Sequence, residues 1–219
     1  MHKLYYGPGA CSFVPHAALE IIKAGTGEDF EAVPVKLHKG EQNSPEFRAI
    51  NPDGQVPVLA VNGKPLTQIT AIASYLDAKY PQFQLLPRDA WQRARTLSIM
   101  AWMNNTVHPT FTHVFMPFKY TEDKAAQEEL KRHNTRLFGE QLKRLESMVQ
   151  EANPYLMGEK LTFLDLYAVV FLRWGGLAGI DPDSMPSYKS FVDHIAALPP
   201  VASALAREAQ PLHYFRKAA

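Results

Sequence analysis

The sequence predicts two units in series, an α/β unit over residues 1–81 and an all-helical unit over residues 88–219. Three observations carry this. Short apolar strands alternate with helix-period stripes through residue 80. No strand pattern follows residue 89, and a proline-bounded stretch over 81–87 reads as a linker. A mixed run followed by a purely helical one argues for segregated units.

Each element has its own signal. Residues 3–6 form a short strand ended by Gly7-Pro8-Gly9. Over 11–24, Val14, Ala17, Ala18, Ile21 and Ile22 make one helical stripe, which Gly25 and Gly27 then break. Residues 30–37 alternate as a second strand. Ser44-Pro45-Glu46 reads as an N-cap followed by proline at the first helical position, opening a short helix to about residue 50. Residues 56–61 are rich in β-formers, and Asn62-Gly63 is the two-residue hairpin turn that pairs 64–66 back onto them. Residues 67–80 return to helical spacing with Ala71, Ile72, Tyr75 and Leu76 inward. The order β-α-β-α-β-β-α is the thioredoxin topology. Helices are expected beyond it over 89–117, 122–152, 162–178, 187–198 and 200–209.

Composition removes several function classes. Lys and Arg number 23 against 22 Asp and Glu, for a net charge of +1, so the basic excess of a nucleic-acid binder is missing. Lys131-Arg132 and Lys143-Arg144 lie among glutamates and read as a solvated helix face. No apolar run reaches the roughly 18–20 residues of a membrane span, so no membrane partner is expected. The N-terminus meets Gly7 too soon for a secretory signal. Cys11 is the only cysteine, which excludes an internal disulfide and fits a reducing compartment, the cytoplasm. The eight histidines are scattered without paired ligands, so no metal site is expected.

Four places have the chemistry for a site. Cys11 follows a Gly-Pro-Gly-Ala turn at the start of the first helix, where free N–H groups and the helix dipole favour an anion; this predicts a lowered thiol pKa. The alternative is a small buried hydrophobe. No second cysteine stands at i+3, so redox work would require exchange with an external thiol. In Asn51-Pro52-Asp53-Gly54-Gln55-Val56-Pro57, a turn cluster enters a strand through a proline. A cis Val56–Pro57 bond there would offer the Val56 backbone to an extended peptide; the alternative is an ordinary strand start. Leu66-Thr67-Gln68-Ile69-Thr70 enters a helix whose open N–H groups suit a carboxylate. Finally, Asn104-Asn105-Thr106-Val107-His108-Pro109 is a polar interruption in an apolar helix, expected where that face borders a cleft, or simply a proline kink.

These segments, in this order and spacing, resemble the cytosolic glutathione S-transferases. Tyr5-Tyr6-Gly7-Pro8-Gly9-Ala10-Cys11-Ser12 is most similar to the bacterial beta class, whose opening motif ends in Cys-Ser. Residues 51–59 match that class's Asn-Pro-x-Gly-Gln-Val-Pro-x-Leu stretch almost throughout, and Arg173-Trp174 and Thr162-Phe163-Leu164-Asp165 extend the likeness along the chain. The resemblance implies the glutathione transferase architecture, with glutathione as co-substrate and no metal. It places Cys11 beside the glutathione sulfur, with Ser12 and Tyr6 as nearby polar partners and His108 facing the cleft. Gln55, Val56 and a cis Pro57 would hold the cysteinyl part, Gln68 the γ-glutamyl end, and Lys39 a carboxylate. It further implies a homodimer, a detoxification-type conjugation of hydrophobic electrophiles, and thiol-disulfide exchange through Cys11 as a related activity.

The second substrate is expected near Trp102, Met103, Phe111, Phe115 and Tyr120. The sequence departs from the family at Ile69, where a serine hydroxyl often meets the γ-glutamyl carboxylate. Such a charge-assisted bond is worth about 1.5–3 kcal/mol, so weak glutathione binding, and a non-catalytic ligand-binding or interaction protein, form the rival expectation. Thr162 and Asp165 read as a structural capping box, with Leu161 and Leu166 as its hydrophobic staple.

Overall fold

The computed structural model describes residues 2–215. Four strands, β1 (His2–Tyr6), β2 (Phe30–Pro34), β3 (Val58–Val61) and β4 (Lys64–Thr67), form one sheet in the order β2-β1-β3-β4. β1 runs parallel to β2, with Leu4 opposite Ala32, while β3 is antiparallel to both β1 and β4. Strand periodicity sorts the faces. His2, Leu4 and Tyr6 point into the main core, which they share with α1 (Phe13–Thr26) and α3 (Ile69–Lys79). Tyr5 points the other way, onto Phe47 of α2 (Pro45–Ile50), over a small second core of Val35, Phe47 and Val58.

The helical part comprises α4 (Ala90–Trp102), α5 (His108–Phe115), α6 (Lys124–Gln150), α7 (Phe163–Leu177), α8 (Pro186–Ala196) and α9 (Pro199–Glu208). α7 is its axis and is buried almost throughout, from Phe163 to Leu172. Its side chains join those of α1 in one continuous apolar cluster. The linker is pinned by Asp77 of α3, which is 1% exposed. That carboxylate accepts from the Leu86 N–H at 3.0 Å and forms ion pairs with Arg88 and Arg93.

Several boundaries differ from the sequence expectation. α1 starts at Phe13 rather than residue 11 and runs through Gly25, which packs against the Phe83 ring. Gly27, at φ 76°, closes it in the left-handed conformation. β2 stops at Pro34 rather than residue 37, and β3 begins at Val58 because Pro57 has no N–H for the ladder. The expected helix over 89–117 is broken into α4, a π-helical segment Met103–Val107, and α5. Pro109 cannot donate within the ladder, and π-turns commonly absorb such defects near functional sites.

Candidate active site

The turn before α1 is held from both sides. Ser12 is fully buried; its hydroxyl accepts from the Gly7 N–H at 3.0 Å and donates to the Gly7 carbonyl at 3.2 Å. Gly9 is gripped by the helical part: Arg173 and Trp174 donate to its carbonyl at 3.1 and 3.0 Å, and Glu208 accepts from its N–H at 2.7 Å. Glu208 also meets Nδ1 of the buried His16 at 2.9 Å. Cys11 is thereby presented where the sheet edge meets the helices.

The thiol does not behave as its position at a helix start suggests. Burial pushes the Cys11 pKa up to about 12, against the weaker pull of the Cys11 and Ser12 backbone N–H groups. This corrects the expectation of a lowered pKa: the field of the helix start is present, but desolvation outweighs it. The thiol is a neutral donor, directed at the Val56 carbonyl 3.8 Å away.

Cys11 lies on the wall of an open cleft. One side is the loop before β3. The Val56–Pro57 bond is cis, and Gln55, Val56 and Pro57 all face the cleft. Asn51 shapes this loop, donating from Nδ2 to the Gln55 carbonyl at 2.8 Å and accepting from the Asp53 N–H at 3.2 Å. Gly54 has φ 62°, and a Cβ there would lie 2.8 Å from the Gln42 carbonyl, so only glycine fits the turn. Another side is the start of α3, formed by Thr67, Gln68 and Ile69. Gln68 adopts φ 69° and makes no side-chain cap, so the first N–H groups of α3 are left for a ligand.

The opposite wall belongs to the helical part, through Asn104 and His108. His108 Nδ1 lies 2.9 Å from the Tyr167 hydroxyl, and its ring meets Trp174 edge-on at 4.8 Å. Burial, aided by the Lys119 charge, pushes its pKa down to about 4, so the imidazole is neutral at neutral pH.

The structure thus brings Cys11, Gln55, Val56, Pro57, Gln68, Ile69 and His108 to one cleft. It leaves three expected residues outside that lining. Ser12 braces the turn, Tyr6 packs its ring on His16 at 4.7 Å behind the sheet, and Lys39 is exposed on the short turn Leu37–Lys39. The apolar set expected for a second substrate also divides. Met103 and Phe111 are core, whereas Phe115 and Tyr120 are about half exposed, and Trp102 lies under Arg144 at 4.1 Å. Sequence reasoning named Asn51, Thr67 and Asn104 only as members of their segments, without a role of their own, and did not single out Tyr167. Asn104 was within reach, because it precedes His108 by one helical turn inside the polar interruption already noted. Among the described residues, no cluster of three or more His, Cys, Asp or Glu side chains is placed to hold a metal ion.

A thioredoxin-type sheet with a cis-proline loop beside a helix-start thiol, facing a helical wall, places the chain among two-part proteins built from a thioredoxin-like and an all-helical half. Comparison with known proteins agrees. The glutathione S-transferase N-terminal domain matches residues 2–78, and the glutathione S-transferase C-terminal domain matches residues 109–208. Glutathione S-transferase GstA of Escherichia coli O157:H7 is 31% identical over 94% of this chain and 98% of its own. A glutathione transferase homologue from Sulfitobacter, solved with bound glutathione, superposes with a TM-score of 0.85 at 26% identity, covering 94% and 98% of the two chains. A beta-class enzyme from Sphingomonas chungbukensis reaches 0.80 at 31% identity with the same coverage. The chain belongs to the glutathione S-transferase family and is an enzyme of that class, and the solved structures it resembles include bacterial beta-class members.

Proposed function

We propose that the protein binds glutathione in the cleft and directs its thiolate at hydrophobic electrophiles. The observation that carries this reading is the convergence of Cys11, the Val56–Pro57 edge, the uncapped start of α3 and His108 on one opening. In the order of the tripeptide, the α3 N–H groups receive the γ-glutamyl carboxylate beside Gln68. The Val56 backbone aligns the cysteinyl unit, and the sulfur arrives between Cys11 and His108. A free thiol is only a few per cent ionised at neutral pH, so catalysis rests on hydrogen bonds that favour the thiolate. The neutral Cys11 S–H and the His108 ring supply them. In this reading Cys11 is a donor to the glutathione sulfur; disulfide exchange needs the Cys11 thiolate, which burial opposes.

Residues 1–81 then act as the glutathione domain, and residues 88–219 line the second-substrate side. There the stacked rings of Trp174, Phe111 and Phe115 lead from His108 to the surface. Homodimerisation is part of the proposal, supported by Trp91 and Leu97, which α4 leaves exposed; sedimentation at micromolar concentration tests it. No helix among the described residues is long and apolar enough to cross a membrane. A reducing cytoplasm suits the single free thiol.

The test is retention on immobilised glutathione, elution by free glutathione, and turnover of an aryl halide with that thiol. A protein that passes through the column and turns over nothing removes the reading. Ile69 at the start of α3 favours a second reading, a ligand-binding protein with weak glutathione affinity. It predicts clean flow-through from the column and no turnover.

A further inference from the structure

We propose that Tyr167 is a positioning residue whose hydroxyl donates to His108 Nδ1 and thereby holds the imidazole proton on Nε2, the nitrogen left for the cleft. The inference rests on the glutathione reading only for its catalytic consequence.

Tyr167 lies one turn into α7, fully buried, and stacks on Phe171 at 4.4 Å, so its ring is fixed. Among the described residues its hydroxyl has one hydrogen-bond partner, His108 Nδ1. A hydroxyl facing a neutral imidazole nitrogen can give or receive. If it received a proton from Nδ1, its own O–H would be left buried with no acceptor, the costly arrangement. If it gives, the hydroxyl and Nδ1 are both satisfied, and Nε2 carries the hydrogen toward the cleft. Among the described residues Nε2 has no hydrogen-bond partner, and it belongs to a side chain that lines the cleft. Trp174, edge-on at 4.8 Å, holds the ring from another side.

The titratable neighbours do not disturb this state. Lys119 opposes a second proton on the imidazole, and burial together with the nearby Cys11 keeps Tyr167 protonated. The cleft therefore offers a sulfur two neutral donors from opposite walls, Cys11 S–H and His108 Nε2–H. The proton of the incoming thiol leaves to solvent, and both donors keep their own.

Two measurements test it. Nitrogen NMR of the ligand-free protein reads the tautomer directly. The Nε2–H form is expected in the wild type and a mixture in Tyr167→Phe. In the pH profile of kcat/KM, Tyr167→Phe is expected to raise the apparent thiol pKa by about one unit, a roughly tenfold loss below it, with KM for glutathione unchanged. His108→Gln supplies an N–H without a tautomer, so adding Tyr167→Phe to that background should change nothing further. An Nδ1–H tautomer in the wild type overturns the proposal, as does a Tyr167→Phe variant with unaltered tautomer and profile. If even the wild type fails to turn over glutathione, the functional reading falls, while the tautomer still decides this one.

Discussion

The starts of α3 and α7 are both helix N-termini, yet the chain treats them in opposite ways. At α7, Asp165 accepts from the Thr162 N–H at 2.6 Å, the Thr162 hydroxyl at 2.9 Å and the Leu156 N–H at 2.8 Å. The Thr162 hydroxyl in turn accepts from the Leu164 N–H at 3.3 Å. At α3, Gln68 offers no side-chain cap, and at α1 the Ser12 hydroxyl turns back to Gly7. α2, α4 and α6 are capped by Ser44, Asp89 and Asp123. The uncapped α3 start that adjoins the cleft is thus free to serve a ligand, whereas the α1 start is closed by its own turn, Phe13 N–H donating to the Ala10 carbonyl and Val14 N–H to the Cys11 carbonyl at 3.1 Å, and the start in the core is closed upon itself. A capping residue supplies stability locally, and its omission leaves polar groups for binding.

The contrast can be broken in four ways, the largest effect first. Cys11, protonated because of burial, is expected to react with iodoacetamide at neutral pH about a thousandfold more slowly than a free cysteine, steepening as pH rises. Alkylation at the rate of an ordinary thiol would show a thiolate instead. Asp165→Ala orphans two buried donors of Thr162 and the part-buried Leu156 N–H and should lower unfolding free energy by about 4 kcal/mol, measured in urea, with glutathione affinity of the folded protein unchanged. Lost affinity at full stability would reverse the roles assigned to the two helix starts.

The third concerns pH. The folded-state pKa of His108 is pushed down to about 4, below its unfolded value near 6.5. Between these values the unfolded chain binds the extra proton. The His108 contribution is therefore present above pH ~6.5 and lost as pH falls toward 4, by about 3 kcal/mol. His108→Gln should flatten that part of the stability curve; an unchanged slope assigns it to other groups. The smallest effect is at α3. Ile69→Ser adds a hydroxyl at the open helix start and should tighten glutathione binding about tenfold by calorimetry, while lost burial costs about 2 kcal/mol of stability. Unaltered or weaker binding would mean that the carboxylate does not lie there.

The sequence by itself determined the element order, the Asn62-Gly63 hairpin, the α7 box and the motif that makes Cys11 and the Val56–Pro57 loop candidates. All are local: turn chemistry, capping and periodicity act within a few residues, so they can be read along the chain. Only the tertiary structure decided what the candidates do. It placed Ser12 and Tyr6 behind the cleft, left Lys39 outside its lining, and set Tyr167 behind His108 across 59 positions of sequence. It also reversed the expected shift of Cys11. A thiol's pKa depends on how much water it retains, and that is fixed by which distant helices close over it.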